Sequence, residues 1–278
     1  MRVAITGASG YVGTCIANCF RAHGHEVLAL SRRRCDAPWL PYALGDDPGQ
    51  LPWDGVDALI HAAYDFTARS WPEILAKNVV PSVALMRAAR QANVAGLIFI
   101  SSMSSFEGCR SNYGKAKLML EKEALQLAGV VIRPGLVWGT HSGGVMGALE
   151  KLVDRSPVVP VLTGRDGLGQ YLIHEADLAE AIVTVAERLP SENGALHSIA
   201  HAAPMTLLAI LKVIAARSTR SRIYLAVPWQ AALAGLKFME ALGLRSLFRS
   251  DSLVGLVHGN PKPESTAAPA GTCFRPFQ

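Results

Sequence analysis

The chain has 278 residues, of which 50 % are hydrophobic and 18 % charged. That is enough apolar material for a sizeable core and too little charge for intrinsic disorder. Twenty-seven Lys and Arg against twenty-two Asp and Glu leave a net charge of +5. The one tight basic run is Arg32-Arg33-Arg34, whereas nucleic-acid binders spread their charge along a face or stripe, so no nucleic-acid partner is expected. Spanning a bilayer takes ~20 apolar residues, and the nearest candidate, Ile223 to Leu244, is broken by Pro228, Lys237 and Glu240. Membrane insertion is therefore not expected. The five cysteines are odd in number and form no C-x-x-C pair. A reduced, cytoplasmic protein without a metal site is the resulting expectation.

In chain order, short apolar runs alternate with helical patterns over the first two hundred residues. Strands are predicted at about 2–6, 26–30, 58–62, 97–101, 130–134 and 196–200, with the clearest helices at 10–22, 71–92 and 114–128. Near-continuous apolar runs such as Leu97-Ile98-Phe99-Ile100 suit parallel strands buried on both faces. Further helices are predicted at 145–154, 177–189, 205–217 and 228–243, followed by a Pro/Ser/Thr/Ala-rich tail over 260–271 that ends in aromatics packed on the body. The fold class is α/β: a Rossmann-type, doubly wound parallel sheet with a small, mostly helical C-terminal substrate lobe. The dinucleotide-binding domain is expected over 1–165, with 171–200 returning to it. The smaller lobe takes 201–278, with 140–170 contributing.

The first predicted strand runs into Thr6-Gly7-Ala8-Ser9-Gly10-Tyr11-Val12-Gly13 and then a helix. Gly7 permits the tight turn, Gly10 lets the backbone approach a pyrophosphate, and Gly13 lets the helix pack closely on the strand. The helix N-terminus offers free N–H groups to the phosphates. An NAD site places an acid after the second strand, whereas NADP favours arginine. Here Arg32 heads the basic run and no acid stands there, so NADP is expected, with NAD possible and a solvated charge cluster as the plainer reading. Asp46 or Asp47 would accept from the adenine amino group, or would be simple turn residues.

Tyr113 and Lys117 lie four apart on one helical face. A cation there favours phenolate and so lowers the phenol pKa from about 10, readying Tyr113 for proton transfer. Upstream, Ser101-Ser102-Met103-Ser104-Ser105 ends the 97–101 strand, and open α/β sheets bind ligands at the carboxyl ends of their strands. His61, in the strand beside the glycine loop, reads as a packed core histidine, and Cys15 and Cys19 as small packing residues.

The order Thr6-Gly7-x-x-Gly10-x-x-Gly13, residues 57–63, Asn78, Ser101-Ser102, Tyr113-x-x-x-Lys117 and Arg133-Pro134-Gly135 resembles the extended short-chain dehydrogenase/reductase family. Within it, the nucleotide-sugar epimerases and dehydratases are the most similar, over about residues 1–200. The resemblance implies that Tyr113 is the proton donor or acceptor, and that Lys117 tunes it and binds the nicotinamide ribose. It implies that a serine, Ser102 with Ser104 as the fallback, hydrogen-bonds the substrate oxygen. Asn78, Ala62, Ala63 and Pro134 would lie along the cofactor, Arg165 would meet an anionic substrate group, and two copies would pair as a homodimer. Met103-Ser104 stands where dehydratases carry an acidic pair, which argues against dehydration. The reading is an NADP(H)-dependent ketoreductase acting on a sugar nucleotide or similar carbonyl metabolite. An NAD-dependent 4-epimerase is the alternative within the family, and a non-catalytic dinucleotide sensor the alternative outside catalysis.

Overall fold

The computed structural model describes residues 1–35, 38–140, 142–164, 169–217, 221–244, 246–260 and 274–278. β1 (Arg2–Thr6) leads into α1 (Tyr11–Ala22), followed by β2 (Glu26–Ser31), β3 (Trp39–Pro41) and β4 (Ala58–His61). α2 (Trp71–Ile74) passes through a π turn, Leu75–Val79, into α3 (Val80–Gln91); β5 (Gly96–Ile100), α4 (Asn112–Gln126) and β6 (Val130–Pro134) complete the first half. Then come β7 (Leu136–Trp138), α5 (Gly144–Arg155), β8 (Val158–Thr163), β9 (Leu172–His174), α6 (Glu175–Glu187) and β10 (Leu196–Ile199). α7 (Leu207–Ala216), β11 (Ile223–Pro228), α8 (Trp229–Ala241) and α9 (Ser250–Val257) close the order.

Seven strands form one parallel sheet in the order β10-β6-β5-β4-β1-β2-β3. The chain moves outward from β1 in one direction through β2 and β3, then returns to build β4, β5, β6 and β10 on the other side. This is the doubly wound Rossmann-type arrangement, with its switch point between β1 and β4. Strand residues alternate between two cores: Ile98 and Ile100 of β5 join α1 and α6 on one face, while Leu97 and Phe99 join α3 and α4 on the other. The predicted sheet strands agree with those observed to within a residue or two.

Three features depart from the predicted elements. β7 pairs with β9 and β8 with β11, forming two small parallel pairs where the sequence showed only loops and helix. Pro160 interrupts the apolar pattern of β8, and β8 and β11 are largely exposed, so neither carries a buried-strand signature. α9 is a short helix in a stretch with no predicted element. The tail does end in packed aromatics: Phe274 joins the α1–α6 core, and Phe277 lies 5.1 Å from Trp138 by ring centroid.

The helix that carries Tyr113 is fixed to the sheet by a buried ion pair. Arg133 on β6 reaches Glu121 on α4 through Nε and Nη2 at 2.9 and 2.6 Å, and the Ser101 hydroxyl donates to the same carboxylate. Removing one partner of such a pair strands the other charge, at a typical cost of about 3–5 kcal/mol. Glu121→Ala is expected to lose stability on that scale in urea unfolding, with Glu121→Gln losing less. Near-wild-type stability of the alanine variant would show that the pair does not anchor α4.

Candidate active site

The glycine loop is shaped for close backbone approach. Gly7 adopts φ +71°, and a Cβ there would stand 2.9 Å from the Ala63 backbone. A Cβ on Gly13 would stand 2.1 Å from the Gly7 carbonyl oxygen, so any side chain would push α1 away from β1. Gly10 caps α1 without a side-chain hydrogen bond, and the first turn holds no acid. Its N–H groups are thus open toward an anion, as a pyrophosphate site requires. Ser9 lies in this loop, where its carbonyl oxygen is 3.5 Å from the Arg33 guanidinium. Val12 packs on the α1–α6 core, and Tyr11 against Gly143. Arg32 lies toward Asp65 in the loop after β4. Burial works to raise the Asp65 carboxyl, but hydrogen bonds from Thr67 and the charges of Arg32 and Lys77 outweigh it and hold the group below its ordinary range. The cradle fits a dinucleotide's pyrophosphate, with Arg32 and Arg33 at its rim.

Beside the loop, the Ala63 N–H donates to the Thr6 hydroxyl at 3.3 Å, and Ala62 packs on the core beneath. Thr6 Oγ1 also meets His61 Nδ1 at 2.7 Å, while His61 Nε2 is buried without a partner. Burial, and next the Lys117 charge, push His61 down to about 3, so its ring is neutral. Asn78, in the π turn and fully buried, accepts from the Asp65 N–H at 2.6 Å and donates to the Asp65 carbonyl at 3.1 Å. It therefore fixes the loop that lies over the cofactor cradle.

At the carboxyl ends of β5 and β6, the Met103 N–H donates to the Pro134 carbonyl and the Ser104 N–H to Ser102 Oγ at 3.1 Å. Ser102, not Ser104, is the serine that faces the Tyr113 phenol. Lys117 is buried, donating to the Ile100 carbonyl at 2.8 Å with its ammonium 4.7 Å from the Phe99 ring and 5.9 Å from the Tyr113 ring. Burial takes Lys117 down to about 7, against a smaller opposing pull from Glu121. The phenol behaves contrary to the sequence expectation. Burial pushes Tyr113 up to about 12, with Ser102 pulling only partly back. Tyr64 lies edge-on at 5.0 Å and Phe66 stacks at 5.9 Å, so desolvation outweighs what a cation held by Ile100 supplies.

The C-terminal lobe completes the site through three consecutive residues that gave no sequence signal. Arg249 donates to the carbonyls of Phe66 and Ala68 at 2.9 and 2.7 Å, holding the aromatic loop over Tyr113. Ser250 fastens α9 to Glu240 of α8. The Asp251 carboxylate accepts the Asn112 and Tyr113 N–H groups at 2.7 and 3.0 Å, capping α4 where the Tyr113–Lys117 stripe begins. The Arg249 and Asp251 contacts join positions more than a hundred residues apart, beyond the reach of any local motif.

Other predicted residues fall away from this cluster. Asp46 accepts the Ala43 N–H and Asp47 the Gly49 N–H, so both carboxylates close turns after β3. Arg165 lies outside the described residues. Cys19 stands beside His23 and Glu180, with ligand atoms within 4.8 Å of one another, on the far side of the sheet from α4.

Lys117 also makes stability depend on pH. Its pKa is about 7 when folded against an ordinary 10.5, so between these values the unfolded chain holds a proton that the folded chain has released. Stability from this group therefore rises with pH across that window. Urea midpoints of wild type measured relative to Lys117→Met should climb between about pH 7 and pH 10. A flat difference would mean that Lys117 does not titrate there.

Comparison with known proteins follows the same lines. The model of the NAD dependent epimerase/dehydratase family matches residues 3–197. A Stigmatella aurantiaca protein named 4-hydroxy-2-methyl-3-oxo-4-farnesyl-3,4-dihydroquinoline-1-oxide ketoreductase is 28 % identical, over 87 % of this chain and 80 % of that one. A ceramide reductase of Caulobacter vibrioides is 30 % identical over 65 % of this chain and 59 % of its own length. Among solved structures, a UDP-glucose-4-epimerase from Stenotrophomonas maltophila with bound NAD superposes with a TM-score of 0.69 at 19 % identity, over 91 % of this chain and 96 % of that one. That likeness is one of fold. The motifs, the sheet order and the family match agree: the chain belongs to the NAD-dependent epimerase/dehydratase family, within the extended short-chain dehydrogenases/reductases whose motifs it carries.

Proposed function

We propose that this protein is an NADP(H)-dependent ketoreductase whose substrate joins a ketone to an extended apolar portion. The observation that carries the reading is the placement of Tyr113: its phenol faces the Ser102 hydroxyl, with Tyr64 and Phe66 packed against its ring and Lys117 5.9 Å away, so a protonated phenol stands beside a hydroxyl, the pair that carbonyl reduction demands. The reduced dinucleotide supplies the hydride. The Ser102 hydroxyl hydrogen-bonds the carbonyl oxygen and steadies the charge that develops there, and Tyr113 passes its proton to that oxygen. Lys117 holds the base of the site against β5 through the Ile100 carbonyl, with its amine 5.9 Å from the Tyr113 ring. The glycine cradle and the open end of α1 receive the pyrophosphate, with Arg32 and Arg33 as the groups for a 2′-phosphate.

The apolar half of the reading rests on the roof of the site. Tyr64 and Phe66 close over Tyr113, and Phe66 still leaves 60 % of its surface exposed, offering a hydrocarbon wall beside the proton donor. The two relatives named as a ketoreductase and a reductase act, by their names, on molecules with a farnesyl or ceramide chain.

Titration of the purified protein should show NADPH bound at least about tenfold more tightly than NADH, ~1.4 kcal/mol, and Arg32→Ala together with Arg33→Ala should narrow that gap. Stoichiometric NAD⁺ retained through purification would overturn the cofactor reading and favour a 4-epimerase. In an NADPH-oxidation assay on long-chain aliphatic ketones, Tyr113→Phe should lower turnover by about 10²–10⁴-fold. Undiminished biological activity of that variant would point to a non-catalytic dinucleotide sensor.

A further inference from the structure

We propose that the outer face of α8 is a docking surface for an anionic lipid bilayer, against which the protein rests without inserting. No residue of α8 is buried. Its inner side, with Trp229, Leu233, Leu236 and Met239 half-covered, lies toward the lobe, and its outer side presents Ala231, Ala234, Phe238, Ala241 and Leu242 to solvent. Phe238 and Leu242 keep 66 % and 58 % of their surface exposed, and Leu244 and Leu247 continue the patch beyond the helix end at 51 % and 43 %. Large apolar side chains left this exposed on one helix mark a candidate contact site.

Charge selects the occupant. Next to this face, a cleft of about 220 Å3 is lined by Arg69, Arg110, Lys237 and Arg249 together with Glu240 and Asp251. Glu240 accepts from Ser250, Asp251 accepts at the end of α4 and Arg249 donates to the loop carbonyls, so four cations outnumber two acids here. Arg69, Arg110 and Lys237 are exposed, and none forms an ion pair among the described residues. A second copy docked across a two-fold axis would bring these cations against their own kind. A surface of anionic headgroups neutralises them while its acyl boundary takes up Phe238 and Leu242, the combination on which interfacial helices rely. α8 and the aromatic roof are joined through α9 and Arg249, so a bilayer on this face lies beside the mouth of the site.

The test is sedimentation of the purified full-length protein with phosphatidylcholine vesicles, with and without phosphatidylglycerol. The protein should pellet with the anionic vesicles and be released as salt rises. Lys237→Glu should weaken anionic binding, and Phe238→Asp with Leu242→Asp should weaken it by roughly tenfold or more. NADPH affinity serves as the fold control and stays unchanged in these variants. Protein that remains in the supernatant with both vesicle types overturns the proposal. So does equal pelleting of the wild type and the Phe238/Leu242 variant. A wild-type assembly that the same variant dissociates in light scattering, without vesicle binding, would instead make this face a contact between copies. None of these readings requires turnover, so loss of docking and failure of the ketoreductase reading are separately visible.

Discussion

The buried carboxylate of Glu121 is the constraint from which the site is built. Tyr113, Lys117 and Glu121 follow one another at four-residue steps along α4, so they form one stripe on its inner face. Glu121 is fixed by Arg133 from β6 and Ser101 from the end of β5. Once that carboxylate is placed, helix geometry carries Lys117 to the Ile100 carbonyl and Tyr113 to the serine loop. An ion pair in water would hold the helix weakly. Buried at the sheet surface, with both charges desolvated, it tolerates little displacement. The position of Tyr113 at one end of α4 thus depends on an interaction two turns away.

The second support comes from the opposite direction in the chain. Arg249, Ser250 and Asp251 make three contacts, with the aromatic loop, with α8 and with the N-terminus of α4. The lobe therefore does more than wall off a pocket. Asp251 satisfies two N–H groups that a helix end leaves open, and Arg249 decides that Tyr64 and Phe66 lie over the phenol. With the roof in place the phenol is desolvated, and desolvation sets its protonation. The protonation of Tyr113 is thereby linked to the seating of the lobe.

The nucleotide end is governed by approach distance more than by charge. Gly7 and Gly13 are required because Ala63 and the Gly7 carbonyl leave no room for a Cβ, and Asn78 holds the covering loop through both polar atoms of its amide. Arg32 and Arg33 then add the sign of the charge at the rim.

Much of this was legible in the sequence. The glycine spacing and the runs at 2–6 and 97–101 determine a parallel sheet with a nucleotide loop at its first turn, because strands buried on both faces must be apolar throughout and because only glycine fits the cradle. The Tyr113–Lys117 spacing likewise determines that the two side chains share a helical face. Tertiary structure decided the rest. The expected lowering of the Tyr113 pKa was reversed because spacing records a neighbouring charge but not the two rings that exclude water from the phenol. Which serine faces Tyr113 was decided by a loop whose path depends on the Pro134 carbonyl. Asp251 and Arg249 act across gaps of more than a hundred residues, where sequence pattern carries no information about contact. Local periodicity fixes what a segment can be; which partner desolvates, caps or orients it is fixed only when distant segments meet.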